Sequence, residues 1–167
     1  MTTTIDTSSK IFRPVKLAVL TIALLISASI NVYSQDLVRG GDGFYLNGQL
    51  FTGEHITRYD NGQIESVRNF IKGLEDGVSK YYDAQGNLIE LRAWSNGKKH
   101  GIWVTYNALG KKTGEASYEN DLKHGKWYIW DDNGTLRYEM MYTRGKKTGS
   151  WFMWDEQGKL IEEKEYL

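Results

Sequence analysis

"GKWYIWDDNGTLRYEMMYTRGKKTG" occupies residues 125–149 of a 167-residue chain, and its spacing decides the fold. The stretch begins and ends on glycine, and the interval recurs: Gly53, Gly77, Gly101, Gly125 and Gly149 lie 24 residues apart. Gly62, Gly86, Gly110, Gly134 and Gly158 keep the same interval, and Gly73, Gly97 and Gly145 form a third series in which Asp121 takes one place. Aromatic residues follow the same beat, with Phe70, Trp94, Tyr118, Tyr142 and Tyr166 in one series and Trp103, Trp127 and Trp151 in another. A fixed period of this length marks a repeat architecture in which each unit is one supersecondary element.

Inside each unit the second glycine closes a turn signal, "YDNG", "DAQG", "NALG", "DDNG" or "DEQG", between short runs rich in Tyr, Trp and β-branched residues. This combination specifies a β-hairpin. Ile64, Leu88, Leu136 and Leu160 follow the turn, each six positions before an aromatic of the 70 to 166 series, and an even separation predicts one shared strand face. Glu65, Arg68, Glu90, Arg92, Glu115, Glu139, Glu162 and Lys164 lie between them as a charged side. In the preceding strand Trp127 and Tyr128 are adjacent and point opposite ways, so its inner face stays open. Links such as "SNGKKHG" and "TRGKKTG" are too short for anything but antiparallel neighbours.

The expected fold is therefore all-β: an elongated single-layer array of antiparallel hairpins advancing roughly 10 Å per unit. Its units are 53–76, 77–100, 101–124, 125–148 and a partial 149–167, with residues 35–52, "GFYLNGQLFTG" among them, as an N-terminal cap. The charged "EEKEY" tail guards the last strand edge.

The first 39 residues hold none of the 18 glycines. Lys10, Arg13 and Lys16 precede an apolar run at residues 17–30, then "NVYSQD" with Val32 and Ser34 before Gln35. This is the layout of a signal peptide over residues 1–34, predicted as a hydrophobic leader helix. The alternative is an inner-membrane anchor over residues 14–33; in either case the remainder is exported, to the periplasm or cell surface. Removing the leader takes away three bases and Asp6, leaving 18 Lys and Arg against 20 Asp and Glu, a balance that points to no nucleic-acid partner. The absence of cysteine excludes disulfides, thiolate metal sites and cysteine nucleophiles.

"GIWVTYNALGKK" with Tyr118, "GKWYIWDDNGTL" with Tyr142 and "RGKKTG", and "GSWFMWDEQGKL" with Tyr166 resemble the MORN-type repeat in its bacterial variant, found in the YwqK antitoxin-labelled group. The resemblance runs from Gly53 to Leu167; His55 and Ser79 depart from it where later units carry Trp, and Lys112 stands where other units have Ile or Leu. It implies a hairpin array acting as an interaction or positioning module, with membrane-lipid association as a further possibility. It brings no catalytic residue, and an antitoxin role fits an exported chain poorly.

No nucleophile elbow, zinc-protease, phosphate-loop or dinucleotide fingerprint occurs, so no enzymatic activity, metal or cofactor is expected. His100 and His124 precede equivalent glycines and are read as polar loop residues, because zinc needs three or four convergent ligands. Asp60, Asp83, Asp131 and Asp155 are read as turn formers, not calcium ligands. The Lys pairs at 98–99, 111–112 and 146–147 admit two readings, a basic stripe for polyanions or solvated turns balanced by nearby acids. The six tryptophans are the strongest functional hint, either as core or as a partner-binding ladder. The candidate partner-binding residues are Trp127, Tyr128, Trp130, Trp151, Phe152 and Trp154. They suit a protein partner in the cell envelope, within a larger assembly, with a glycan or lipid as the alternative ligand and a hydrolase as the least favoured reading.

Overall fold

The computed structural model describes residues 32–33 and 36–167. The leader, its expected helix and its cleavage site lie outside the described residues, apart from Val32–Tyr33, which forms a short parallel strand beside Gly53–Arg58.

Five hairpins follow in sequence order within one sheet: Gly53–Arg58 with Ile64–Ile71, Gly77–Tyr82 with Leu88–Ser95, Gly101–Tyr106 with Lys112–Glu119, Leu122–Trp130 with Leu136–Thr143, and Gly149–Trp154 with Leu160–Tyr166. The ten hairpin strands are antiparallel to one another, and the expected 24-residue period holds throughout. Val38–Arg39, Phe44–Leu46 and Gln49–Leu50 form a separate small sheet at the N-terminal end. There Phe44 and Phe51 pack on Phe70, with ring centroids 5.1 and 5.7 Å away.

Both ends of every hairpin are built from local turn chemistry. In the loop at 83–87 the Gly86 N–H donates to the Asp83 carbonyl at 2.9 Å and the Asp83 N–H donates to Asn87 at 2.9 Å. This is a three-residue hairpin loop closed by a glycine bulge. At the other end the chain turns between hairpins through Lys72–Gly73, Asn96–Gly97, Asn120–Asp121 and Arg144–Gly145, with positive φ at both central residues. Such a turn matches the twist of its flanking strands and normally requires glycine at its second centre. Asp121, at φ 71°, does without it because its carboxylate accepts the Lys99 N–H at 2.9 Å and its own N–H donates to the Lys99 carbonyl at 2.9 Å. The Gly97 and Gly145 N–H groups likewise reach back to the Glu75 and Lys123 carbonyls, each at 2.8 Å, so every link is tied to the hairpin before it.

Strand register slips twice per unit. Within a hairpin the slip is one residue, as where Ile129 pairs with Tyr138 but Trp130 with Leu136. Between hairpins it is two residues, as where Tyr142 pairs with Lys147 but Glu139 with Phe152. A one-residue slip moves side chains to the other face. Leu136, opposite Trp130, therefore lies on one side of the sheet, and Tyr142, opposite Gly125, on the other. This corrects the sequence expectation that the post-turn aliphatic residue and the aromatic six positions later share a face. The charged residues are divided too: Arg68, Glu90, Arg92 and Lys164 accompany the aromatic series, while Glu115 and Glu139 face away.

The glycine that opens each hairpin lies opposite the aromatic of the second strand: Gly53 and Phe70, Gly77 and Trp94, Gly101 and Tyr118, Gly125 and Tyr142, Gly149 and Tyr166. Gly101 has φ 82°, and a Cβ there would stand 3.3 Å from the Ala93 Cβ of the preceding hairpin. Gly134 has φ 91° but open space around it. Gly134→Ala should cost about 1 kcal/mol, the backbone strain alone, and Gly101→Ala about 2 kcal/mol or more. Urea unfolding of the two variants compares them; equal losses would contradict the close packing at Gly101.

Candidate functional site

The two faces of the sheet carry different chemistry. On one, Trp94, Trp103, Tyr118, Trp127, Tyr142, Trp151 and Tyr166 form a continuous ring ladder, with successive centroids 5.0, 5.2, 5.1, 5.3, 5.1 and 4.9 Å apart. Tilted and edge-on pairs at this spacing each contribute about 0.5–1.5 kcal/mol beyond area burial. The indole N–H groups of Trp103, Trp127 and Trp151 donate to the carbonyls of Ala93, Ser117 and Met141 at 2.8, 2.9 and 3.0 Å. Those carbonyls sit where register slips between hairpins, and the Ala93 and Met141 carbonyls also accept the backbone N–H groups of His100 and Thr148 at 3.1 and 3.0 Å, so the indole is a second donor that ties one hairpin to the next. Burial pushes the Tyr118 phenol above its usual range.

Lysines roof the ladder. Lys99 Nζ is 4.8 Å from the Trp103 ring centroid and 5.2 Å from Tyr118; Lys123 is 4.2 and 4.8 Å from Trp127 and Tyr142; Lys147 is 4.3 and 5.1 Å from Trp151 and Tyr166. The stems cover ring surface while the ammonium groups reach water. The sequence reading grouped lysines by adjacency and missed this 24-residue series, which could have been found by aligning positions 99, 123 and 147 like the glycines.

The ladder begins at Trp94 of the second hairpin, and in the first and second hairpins His55 and Ser79 take the tryptophan positions. Their cross-strand partners are Arg68 and Arg92, and these fill the vacated space. Arg68 binds Glu75 at 3.0 Å over the Phe44 and Phe70 rings, and Arg92 binds Glu90 at 2.7 Å over Tyr81. Ser79, 1 % exposed, lies beneath this ionic cover with its hydroxyl 3.5 Å from Glu75. The Glu90 hydrogen bond, more than its charge, raises the Arg92 pKa.

A second feature of the ladder face lies at its C-terminal end, a groove of about 320 Å³ whose lining includes Ile129, Tyr138, Met140, Trp151 and Met153 together with the charged Glu162 and Lys164. Ile129 and Tyr138 are 42 % and 38 % exposed. The equivalent row in earlier hairpins carries Ser66, Tyr81, Glu90 and Thr105, so its apolar stretch is Ile129, Tyr138 and Met153, and Glu162 closes the row. The sequence reading missed Ile129, Tyr138 and Met153, which belong to separate strands and meet only through sheet register.

The six candidate partner-binding residues are split between faces. Trp127 and Trp151 belong to the ladder. Tyr128 with Trp130 and Phe152 with Trp154 stand on the opposite face, as pairs with centroids 5.5 and 5.8 Å apart. There Glu115, Tyr128, Glu139, Phe152 and Glu163 form one cross-strand row, and the acids Glu115 and Glu139 are answered by Lys112 at 2.6 Å and Lys126 at 2.8 Å. The Glu139 hydrogen bond holds the Lys126 pKa up.

The carboxylates read as turn formers are engaged by backbone. Asp83 Oδ1 accepts the Gln85 and Asn87 N–H groups at 3.0 and 2.8 Å, and Asp131 and Asp155 repeat the pattern. Hydrogen bonds from the Asn87 side chain and backbone hold the Asp83 carboxyl below the usual carboxylate range. His124 Nδ1 lies 3.4 Å from both the Arg144 N–H and the Glu119 carboxylate, a contact between consecutive turns. Among the described residues no group of three or more His, Asp or Glu could hold a metal ion. Among the described residues there is no helix long and apolar enough to cross a membrane.

Trp127→Phe keeps a ring in the ladder and loses the hydrogen bond to Ser117. It should lower stability by about 1–2 kcal/mol in chemical denaturation, and Trp130→Phe by less than half as much. A larger loss for Trp130→Phe would reverse the roles of the two faces.

Residues 99–120, 123–143 and 147–167 each match the MORN repeat variant family. The matched segments begin at the roof lysines 99, 123 and 147 and run through the ladder aromatic of each unit. No curated protein matches the chain. Among solved structures, a chain of the GtfA/B complex bound to UDP and GlcNAc aligns with 75 % of this chain at 13 % identity and a TM-score of 0.30. The alignment spans 28 % of that chain. Over residues 99–167 the chain is therefore similar to the MORN repeat variant, in three consecutive segments.

Proposed function

We propose that the chain is a non-catalytic, exported repeat module that binds a protein partner at the cell envelope through the C-terminal half of its ladder face. The observation that carries this reading is the apolar groove of Ile129, Tyr138, Met140 and Met153, open to solvent beside a ladder whose own rings are already satisfied by packing. Apolar anchors inside a charged rim are what a protein interface concentrates. The N-terminal half of the same face is closed over by Arg68, Glu75, Glu90 and Arg92 and offers no such surface.

A glycan is the weaker reading. Sugars stack on open ring faces, whereas the ladder rings meet one another edgewise and lie under lysines. The antitoxin-labelled subgroup adds nothing to the proposal, since export would separate the chain from an intracellular target. Export itself rests on the leader pattern of residues 1–34; cleavage before Gln35 would also remove the Val32–Tyr33 strand and leave residues 38–50 as the end cap.

The test is cross-linked capture of the full-length tagged protein from its native envelope, read together with its N-terminal peptide. Tyr138→Glu combined with Met153→Glu should abolish a reproducible protein partner without shifting the melting curve. Ile102→Glu, at a 52 % exposed position on the opposite face, should retain it. A partner lost only with Ile102→Glu would refute the assignment to the ladder face, and an intact leader in the soluble cytoplasmic fraction would refute export.

A further inference from the structure

Resting on that reading, we infer that the partner lays an acidic segment, with carboxylates about 10 Å apart, along Lys99, Lys123 and Lys147. The argument begins with charge pairing. On the opposite face Lys112 and Lys126 each hold a glutamate, and on the N-terminal half of the ladder face Arg68 and Arg92 do the same. Lys99, Lys123 and Lys147 have no carboxylate within ion-pair distance among the described residues; their contacts are rings and, for Lys147, the Tyr166 hydroxyl at 3.5 Å. At the equivalent position of the preceding unit stands Glu75, which neutralises Arg68. Charge at this register position is therefore balanced early in the array and left open where the aromatic ladder begins. This separates the two readings of the lysine pairs: Lys112 is balanced by an acid, whereas Lys99 and Lys147 join Lys123 in an unanswered row.

Geometry then selects the occupant. Two strands per unit place successive lysines about 10 Å apart. A segment in the polyproline II conformation rises about 3.1 Å per residue with three residues per turn, so every third side chain returns to the same side after about 9 Å. A β-strand returns after two residues, about 7 Å, and falls out of step. The backbone of such a helix needs no ladder hydrogen bonds, which suits a chain crossing the strands on their face. The groove of Ile129, Tyr138, Met140 and Met153 gives this track an apolar end. A flat anionic membrane fits less well, because the ammonium groups are drawn down to 4.2–5.2 Å from the ring centroids instead of extending from the loop tips.

The experiment is fluorescence anisotropy of the full chain with two labelled synthetic peptides. Both have a proline frame ending in leucine, one with glutamate at every third position and the other with the same glutamates contiguous. The evenly spaced peptide should bind about tenfold more tightly. Lys123→Gln with Lys147→Gln should lose about that tenfold, as two solvent-exposed charge contacts allow, and Lys123→Arg with Lys147→Arg should restore it. Equal binding of the two peptides, or binding unchanged by the glutamine variant, would overturn the inference. Lysine-dependent binding to phosphatidylserine-rich vesicles with none to either peptide would overturn it in favour of a lipid surface. If the glutamine variant still captures the Tyr138-dependent partner, the proposed function stands and the acidic track alone falls.

Discussion

The Trp127 indole donates to the Ser117 carbonyl at the register shift between two hairpins, and the rest of the architecture depends on that arrangement and its copies at Trp103 and Trp151. Between hairpins the register shifts by two residues, and at that shift the Ala93 and Met141 carbonyls accept a backbone N–H, from His100 at 3.1 Å and Thr148 at 3.0 Å, together with an indole N–H. A carbonyl oxygen has two lone pairs, and the indole occupies the second. A side chain that carries a donor at the edge of a large ring both completes the carbonyl's hydrogen bonding and covers the link, and tryptophan meets that need. Glycine at the start of the same strand, opposite Tyr118, Tyr142 or Tyr166, leaves the space in which the neighbouring ring lies.

From this constraint the division of labour between faces follows. Rings committed to those carbonyls must stand on one side, and their edge-on contacts turn that side into a continuous ladder needing no second layer of protein. Lysine stems over the rings complete the cover while leaving ammonium groups at the surface. Where the tryptophan is absent, at His55 and Ser79, the structure resorts to arginine and glutamate pairs, and the family match is absent there as well. Stability at the two ends of the array thus rests on different physics, ionic over the first two hairpins and aromatic beyond them.

Much of this was legible in the sequence because turn chemistry is local. The 24-residue glycine series fixed the number of hairpins, and the "DDNG" and "RGKK" signatures fixed their ends. Which residues share a face was not legible. Leu136 and Tyr142 are six apart and look like companions, yet the slip at Trp130 separates them. The same effect split Trp127 and Trp151 from Tyr128, Trp130, Phe152 and Trp154. The groove was hidden for a related reason, since Ile129, Tyr138 and Met153 meet only through pairing across three strands.

Hydrogen exchange of the indole N–H groups, followed by NMR on the full chain, tests the central claim most directly. Trp103, Trp127 and Trp151 should exchange slowly, because their donors are bound to backbone carbonyls. Trp130 and Trp154, whose indoles donate to no group among the described residues, should exchange fast. Protection of Trp130 and Trp154 with rapid exchange at Trp127 and Trp151 would place the structural ladder on the opposite face and contradict the account.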